Sequence, residues 1–116
     1  MDTGFNITRL QSINYIRWLA KQSHQRGLAY GLKNATSIAS DVIDSVDWIV
    51  TESCFVQGWC HDAAIFTDNN KPVFMTEYVE YLNDFTDACQ FAREYGFNAI
   101  YRDTGLTAGG KFEGCI

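Results

Sequence analysis

Four short apolar runs, separated by amphipathic stretches, organise this chain. They are "LAYGLKN" (28–34), "DWIVTES" (47–53), "KPVFMTEY" (71–78) and "FNAIYRD" (97–103). Each has the length and the β-branched or aromatic content of a buried strand. From Thr8 to Arg26 the pattern changes to a helical one, with Leu10, Ile13, Ile16, Leu19 and Ala20 along one stripe. Thr8 followed by Gln11 predicts a capping box, and Gly27 falls where a helix ends in a left-handed residue. Further helices are predicted from Thr36 or Ser37 to just before Asp47, over Asp62 to Asn70, and from Leu82 to Tyr95, where Gly96 stops the last. Strand and helix in alternation predict an α/β fold, a parallel sheet of four βα units. Pro72, the chain's one proline, opens the third strand, where a missing N–H is tolerated.

In such sheets the carboxyl ends of all strands open on one side, so residues at those ends share a rim. Here the ends carry Lys33 and Asn34, Glu52, Glu77 and Tyr78, and Arg102 and Asp103. One charged strand end is punctuation; four on one rim predict a site. The turns after the strands contain no G-x-G-x-x-G and no phosphate loop, and "TAGGKFEG" is followed by no helical pattern. There is no G-x-S-x-G turn, His61 adjoins Cys60, and His24 belongs to a helix end. Carboxylates, a lysine and aromatic rings remain, a combination suited to glycosidic bond cleavage. No cofactor is implied.

The chain has 116 residues, enough for one modest core. A net charge of −5 argues against a nucleic-acid partner and suits a neutral or cationic ligand. No apolar run approaches the roughly 20 residues that span a bilayer, and "MDTGFNITR" lacks the regions of a leader peptide. Cys54, Cys60, Cys89 and Cys115 permit two bridges in three connectivities. Free thiols stay open, and so does zinc, although C-x5-C lacks the usual closely spaced pairs. Two stretches, "NIT" at Asn6 and "NAT" at Asn34, fit the acceptor pattern for N-glycans, with Asn6 expected in an exposed loop and Asn34 on the rim.

The runs "YIRWLAKQSHQRGLAYGLKN", "DWIVTESCF", "KPVFMTEY" and "GFNAIYRD", with a second cysteine six residues after the first, resemble the second half of glycoside hydrolase family 114. The resemblance spans nearly the whole chain. It implies that residues 1–116 are a single partial glycoside hydrolase domain, the C-terminal half of a (β/α)8 barrel. The activity it implies is on α-linked galactosaminyl or galactosyl polysaccharide; the competing reading is a half barrel that binds sugar without cleaving it. Glu52 matches a catalytic carboxylate of the family, expected as general acid/base with its pKa raised by burial or by Glu77 or Asp103. Lys33, Asn34, Glu77 and Tyr78 match residues expected to line the sugar cleft, with Trp59, Arg102 and Asp103 beside them. Cys54 and Cys60 match a paired-cysteine loop, though Trp59 and His61 replace the acidic residues usual around its second cysteine.

The family's other catalytic carboxylate, an aspartate at the end of the fourth barrel strand, would fall just before Met1, and Asp2 does not match it. The resemblance thus implies a partner, either the other half barrel or a second copy. It also implies an extracellular or wall-associated protein, provided that the full-length chain carries a signal peptide.

Overall fold

The structure, a computed structural model, describes residues 2–115. Helix α1 runs Arg9–Gln25. Thr8 caps it as the sequence predicts: its hydroxyl oxygen accepts the Gln11 N–H at 3.1 Å, while the Gln11 side chain accepts the Thr8 N–H at 2.9 Å. The exchange satisfies two N–H groups that a helix start leaves without partners. The chain turns away through Gly27 at φ +72°, a conformation that a Cβ would strain.

Strand β1 (Gly31–Lys33) leads through one 3-10 turn (Thr36–Ile38) into helix α2 (Ala39–Val42), and strand β2 is Trp48–Glu52. After it come helix α3 (Cys54–Gln57), a 3-10 turn (Cys60–Ala63), helix α4 (Ala64–Asp68) and strand β3 (Val73–Tyr78). Helix α5 (Thr86–Tyr95), strand β4 (Asn98–Arg102) and strand β5 (Phe112–Gly114) complete the order.

The strands fall where the apolar runs predict them, and the helices between them are shorter. The stretch after Val42 turns instead of continuing, with the Ser45 and Val46 N–H groups both closing on the Val42 carbonyl at 2.8 and 3.1 Å. The last crossover helix starts at Thr86 and not at Leu82, because Asp84 accepts the Thr86 N–H at 2.8 Å and sets the helix start. Neither α3 nor β5 is foreseen by the pattern.

Strands β1 to β4 are parallel and lie side by side in chain order. On β2 and β3 the alternate residues Ile49, Thr51, Val73, Met75 and Glu77 are fully buried against the helices. The intervening residues, among them Trp48, Glu52 and the exposed Phe74, lie on an open face. The period of two sets this division. On the helix side, Ile13, Leu32, Val42, Val46, Phe66, Ala88, Ala92 and Ala99 join them in one core. On the open face Trp48 lies over Gly31, where a Cβ would meet its ring at 2.3 Å, and packs edge-on against Phe74 at 5.6 Å.

The register steps along the sheet. Lys33 pairs with Val50, two residues before Glu52; Glu52 pairs with Thr76, two before Tyr78; and Tyr78 pairs with Arg102. Such a stagger is what tilts the wall of a barrel. Strand β5 joins the far edge antiparallel to β4.

All four cysteines are paired, Cys54 with Cys60 and Cys89 with Cys115, at Cα separations of 4.7 and 5.4 Å. This replaces the thiol and zinc alternatives with two bridges. The second bridge ties α5 to the residue after β5, and the Cys115 N–H extends the ladder to the Ala99 carbonyl at 3.0 Å.

Candidate active site

Both neighbouring strand ends leave the sheet through left-handed residues, Asn34 (φ +53°) and Ala35 (+40°) after β1 and Ser53 (+58°) after β2. Non-glycine residues in this region cost about 1–2 kcal/mol each, so the surrounding bonds must hold them. They do: the Asn34 N–H reaches the Val50 carbonyl at 2.9 Å, and the Ser53 N–H reaches the Thr76 carbonyl at 2.8 Å. The Asn34 side-chain oxygen accepts the N–H of Glu52 itself at 2.9 Å. Asn34 is therefore a brace for the backbone that carries the carboxylate.

On the open face the Glu52 carboxylate is held from both sides. The Tyr78 hydroxyl donates to Oε1 at 2.7 Å, and Lys33 Nζ lies 2.9 Å from Oε2. These two partners, Tyr78 first, hold the Glu52 carboxyl below the usual glutamate value. The reciprocal effect appears on Tyr78, whose hydroxyl is pushed up to about 12 by burial and by the anion it donates to. Glu52 therefore stands ionised, unlike the raised general acid expected from the sequence.

Around this carboxylate lies an open cleft of about 550 Å³, walled by Tyr78, Tyr81 and Trp59 and edged by Gln57 and Thr104. Tyr81 packs edge-on against Tyr78 at 6.5 Å and is 62% exposed. The Trp59 indole N–H donates to the Gln57 side-chain oxygen at 2.8 Å, which fixes the ring's edge. The wall opposite is tied down by Glu80, whose carboxylate accepts the Thr104 N–H and hydroxyl at 3.1 Å. Tyr81, Gln57 and Thr104 are not among the residues singled out from the sequence. A tyrosine three positions past a strand-end tyrosine was the available signal for the first.

The other rim candidates are placed differently. Glu77 points into the helix side, fully buried, and accepts the Phe55 N–H at 2.8 Å and the Val56 N–H at 3.4 Å. Burial raises its carboxyl pKa, against the opposing pull of those two donors. It holds the turn that follows Glu52 from behind the sheet and is not brought to the cleft. Arg102 is spent on the loop after β4, donating to the Lys111 and Thr107 carbonyls at 3.0 Å, with Phe112 under its guanidinium. Asp103 closes the same loop, accepting the Thr107 N–H and hydroxyl at 3.3 and 3.0 Å. Gly110 packs so near that a Cβ there would meet Asp103 Oδ1 at 2.3 Å. His24 pairs with Asp47 at 2.7 Å, at the opposite end of the sheet. Cys54, Cys60 and Glu77 cluster within 4.8 Å, but the sulfurs are bonded to each other and offer no thiolate to a cation.

Staggered parallel βα units, with a braced carboxylate at a strand's carboxyl end and aromatic rings around it, define part of a (β/α)8 barrel. The profile of glycoside-hydrolase family GH114 matches residues 1–115, and the chain belongs to that family. The crystal structure of Aspergillus fumigatus Ega3 in complex with galactosamine matches it with a TM-score of 0.88 at 31% identity. The match covers 99% of this chain and 49% of Ega3, so the chain spans about half of that neighbour's length. No protein of curated function matches the sequence significantly. Among the described residues no helix is long and apolar enough to cross a membrane.

Proposed function

We propose that residues 1–116 form the C-terminal half of a glycoside hydrolase barrel that cleaves α-linked galactosaminyl or galactosyl polysaccharide, with Glu52 as one of two catalytic carboxylates. The observation that carries this reading is the Lys33–Glu52–Tyr78 arrangement in a cleft walled by Trp59 and Tyr81. Sugar rings stack on aromatic faces, while hydroxyls and amines take up the polar edges. The galactosamine bound by Ega3, a protein of the same fold, supports an amino sugar as ligand. A cationic amine also suits an acidic protein and an ionised Glu52.

Glycosidases need two carboxyl groups, about 5–5.5 Å apart when they retain configuration and roughly 6.5–9.5 Å apart when they invert it. Glu77 faces the helices and Asp103 is bonded within its own loop, so neither serves as the second. The second carboxylate comes from a complementary half barrel. Its charge, brought beside Glu52, would oppose the pull of Lys33 and Tyr78 and raise Glu52 toward the proton-donating range. Two disulfides suit an oxidising compartment, and the protein works outside the cell or at the wall.

A second reading is a half barrel that binds the polymer without cleaving it, favoured by the low pKa of Glu52. The test is reducing-end release from an α-1,4-galactosaminyl polymer by the chain alone and by the chain mixed with the upstream half of a homologue. The expected result is no release alone and release on mixing, lost in Glu52→Gln. Binding without release in the mixture would favour the second reading; absence of both would overturn the two together.

A further inference from the structure

The two N-glycan acceptor patterns lie in opposite settings, and the hydrolase reading uses neither as such. Asn6-Ile7-Thr8 precedes α1 in irregular, exposed chain. The Ile7 N–H bonds the Phe5 carbonyl at 3.0 Å, a three-residue turn with Asn6 at its apex. Phe5 and Ile7 on either side are 80% and 56% exposed. Among the described residues the Asn6 side chain makes no hydrogen bond, so attaching a group to its amide breaks nothing.

Asn34-Ala35-Thr36 is the reverse case. Its asparagine is half-buried in a left-handed conformation, with its amide oxygen committed to the Glu52 N–H. The same side chain edges the cleft, so a branched saccharide on it would occupy the space around Glu52.

We propose that Asn6 is an N-glycan acceptor and that Asn34, despite carrying the same pattern, is unoccupied in the folded protein. The inference rests on the reading of the chain as part of a secreted protein. The donor is a lipid-pyrophosphate-linked oligosaccharide. The Asn6 amide nitrogen bonds to the anomeric carbon as the bond from that carbon to the pyrophosphate oxygen breaks. The lipid pyrophosphate leaves with the electron pair, and the amide gives up one proton. Arg9 at the start of α1 donates to the Ser37 carbonyl after β1 at 2.9 Å, while His24 near its end pairs with Asp47 just before β2. The N-terminal end of α1 thus lies at the same end of the sheet as Lys33 and Glu52. The glycan therefore stands at the cleft's end of the sheet, next to the exposed Phe5 and Ile7.

Thr8 serves both the acceptor pattern and the helix cap, so replacing it confounds the two. Asn6→Gln removes the acceptor and keeps the cap, while Thr36→Ala removes the second pattern and keeps Asn34 in place. Each chain is expressed behind a supplied leader in a glycosylating eukaryotic host. Secreted and retained fractions are treated with an amidase that releases N-glycans and leaves aspartate at each occupied site, then mapped by peptide mass. The expected result is a single mass step marked at position 6, abolished by Asn6→Gln and unchanged by Thr36→Ala. An unmodified Asn6, or a mark at position 34 in secreted protein, overturns the proposal. The leader is supplied, so failure here bears on the acceptor site, whereas failure of the hydrolase reading appears only in the polymer assay.

Discussion

Replacing Glu77 by alanine or by glutamine asks whether the turn after Glu52 depends on a carboxylate behind the sheet. Alanine leaves the Phe55 N–H without its 2.8 Å acceptor, a bond to a charged group of the kind that contributes about 1.5–3 kcal/mol. The Val56 contact at 3.4 Å is near the outer limit and adds little. A void beside the Cys54–Cys60 bridge adds to the loss, so Glu77→Ala should cost about 3–4 kcal/mol. Glutamine keeps an acceptor for Phe55 and removes a buried charge, so its cost at neutral pH should be about 1 kcal/mol or less.

The pH dependence separates the two replacements further. Burial raises the native Glu77 pKa above its ordinary value of 4.5. Between those two values the native state holds the proton more often than the unfolded chain, so stability falls as pH rises through that window. Glutamine has no proton to release, and that slope should vanish in Glu77→Gln. Glu52 and Asp47, held low, act in the opposite direction and in a lower window, losing stability as pH falls through their native values. The assay is urea denaturation followed by tryptophan emission from pH 4.5 to 8. A wild-type slope that persists in Glu77→Gln, or a cost below about 1 kcal/mol for Glu77→Ala, would refute the assignment of Glu77 to the turn.

Tyr78→Phe removes the shortest contact on Glu52 and should raise the Glu52 pKa toward the ordinary value, read by carboxyl carbon NMR titration; an unchanged midpoint would mean that Lys33 alone sets it. Paired Cys→Ser replacements should differ in cost with loop length, about 2 kcal/mol for the 6-residue separation of Cys54–Cys60 and about 3.5 kcal/mol for the 26-residue separation of Cys89–Cys115. The reverse order in denaturant midpoints would show that the shorter bridge carries native-state contacts beyond chain entropy.

The parallel sheet was legible because its signal is collective: four apolar runs, helical stretches between them, and turn residues such as Gly27 and Gly96 at the junctions. Strand β5 was not, since three exposed residues in a glycine-rich tail carry no apolar pattern and are held by pairing with β4 and by a distant cysteine. Of the rim residues, Glu52 and Tyr78 meet because the two-residue stagger brings non-paired strand ends together, a relation that depends on register. Glu77 is the instructive case. Adjacent residues of one strand face opposite sides of the sheet, so Glu77 and Tyr78 could not both enter one cleft, and the alternation was visible in "VFMTEY" itself. Arg102 and Asp103 illustrate the other limit, because their partners are loop carbonyls and a threonine placed by chain folding.

The reversed strand sets a condition on how this wall joins anything else. The sheet has two unlike margins, parallel β1 at one side and antiparallel β5 at the other. A strand arriving at β1 continues the parallel weave. A strand arriving at the far side meets β5, unless β5 peels away from β4, and the Cys89–Cys115 bridge anchors that strand to α5. A cylinder completed with β5 still paired to β4 would carry one stave laid head to foot, with the stagger interrupted there. Reduction of that bridge would accordingly loosen the seam while leaving the Lys33–Glu52–Tyr78 arrangement, on the other side of the wall, in place.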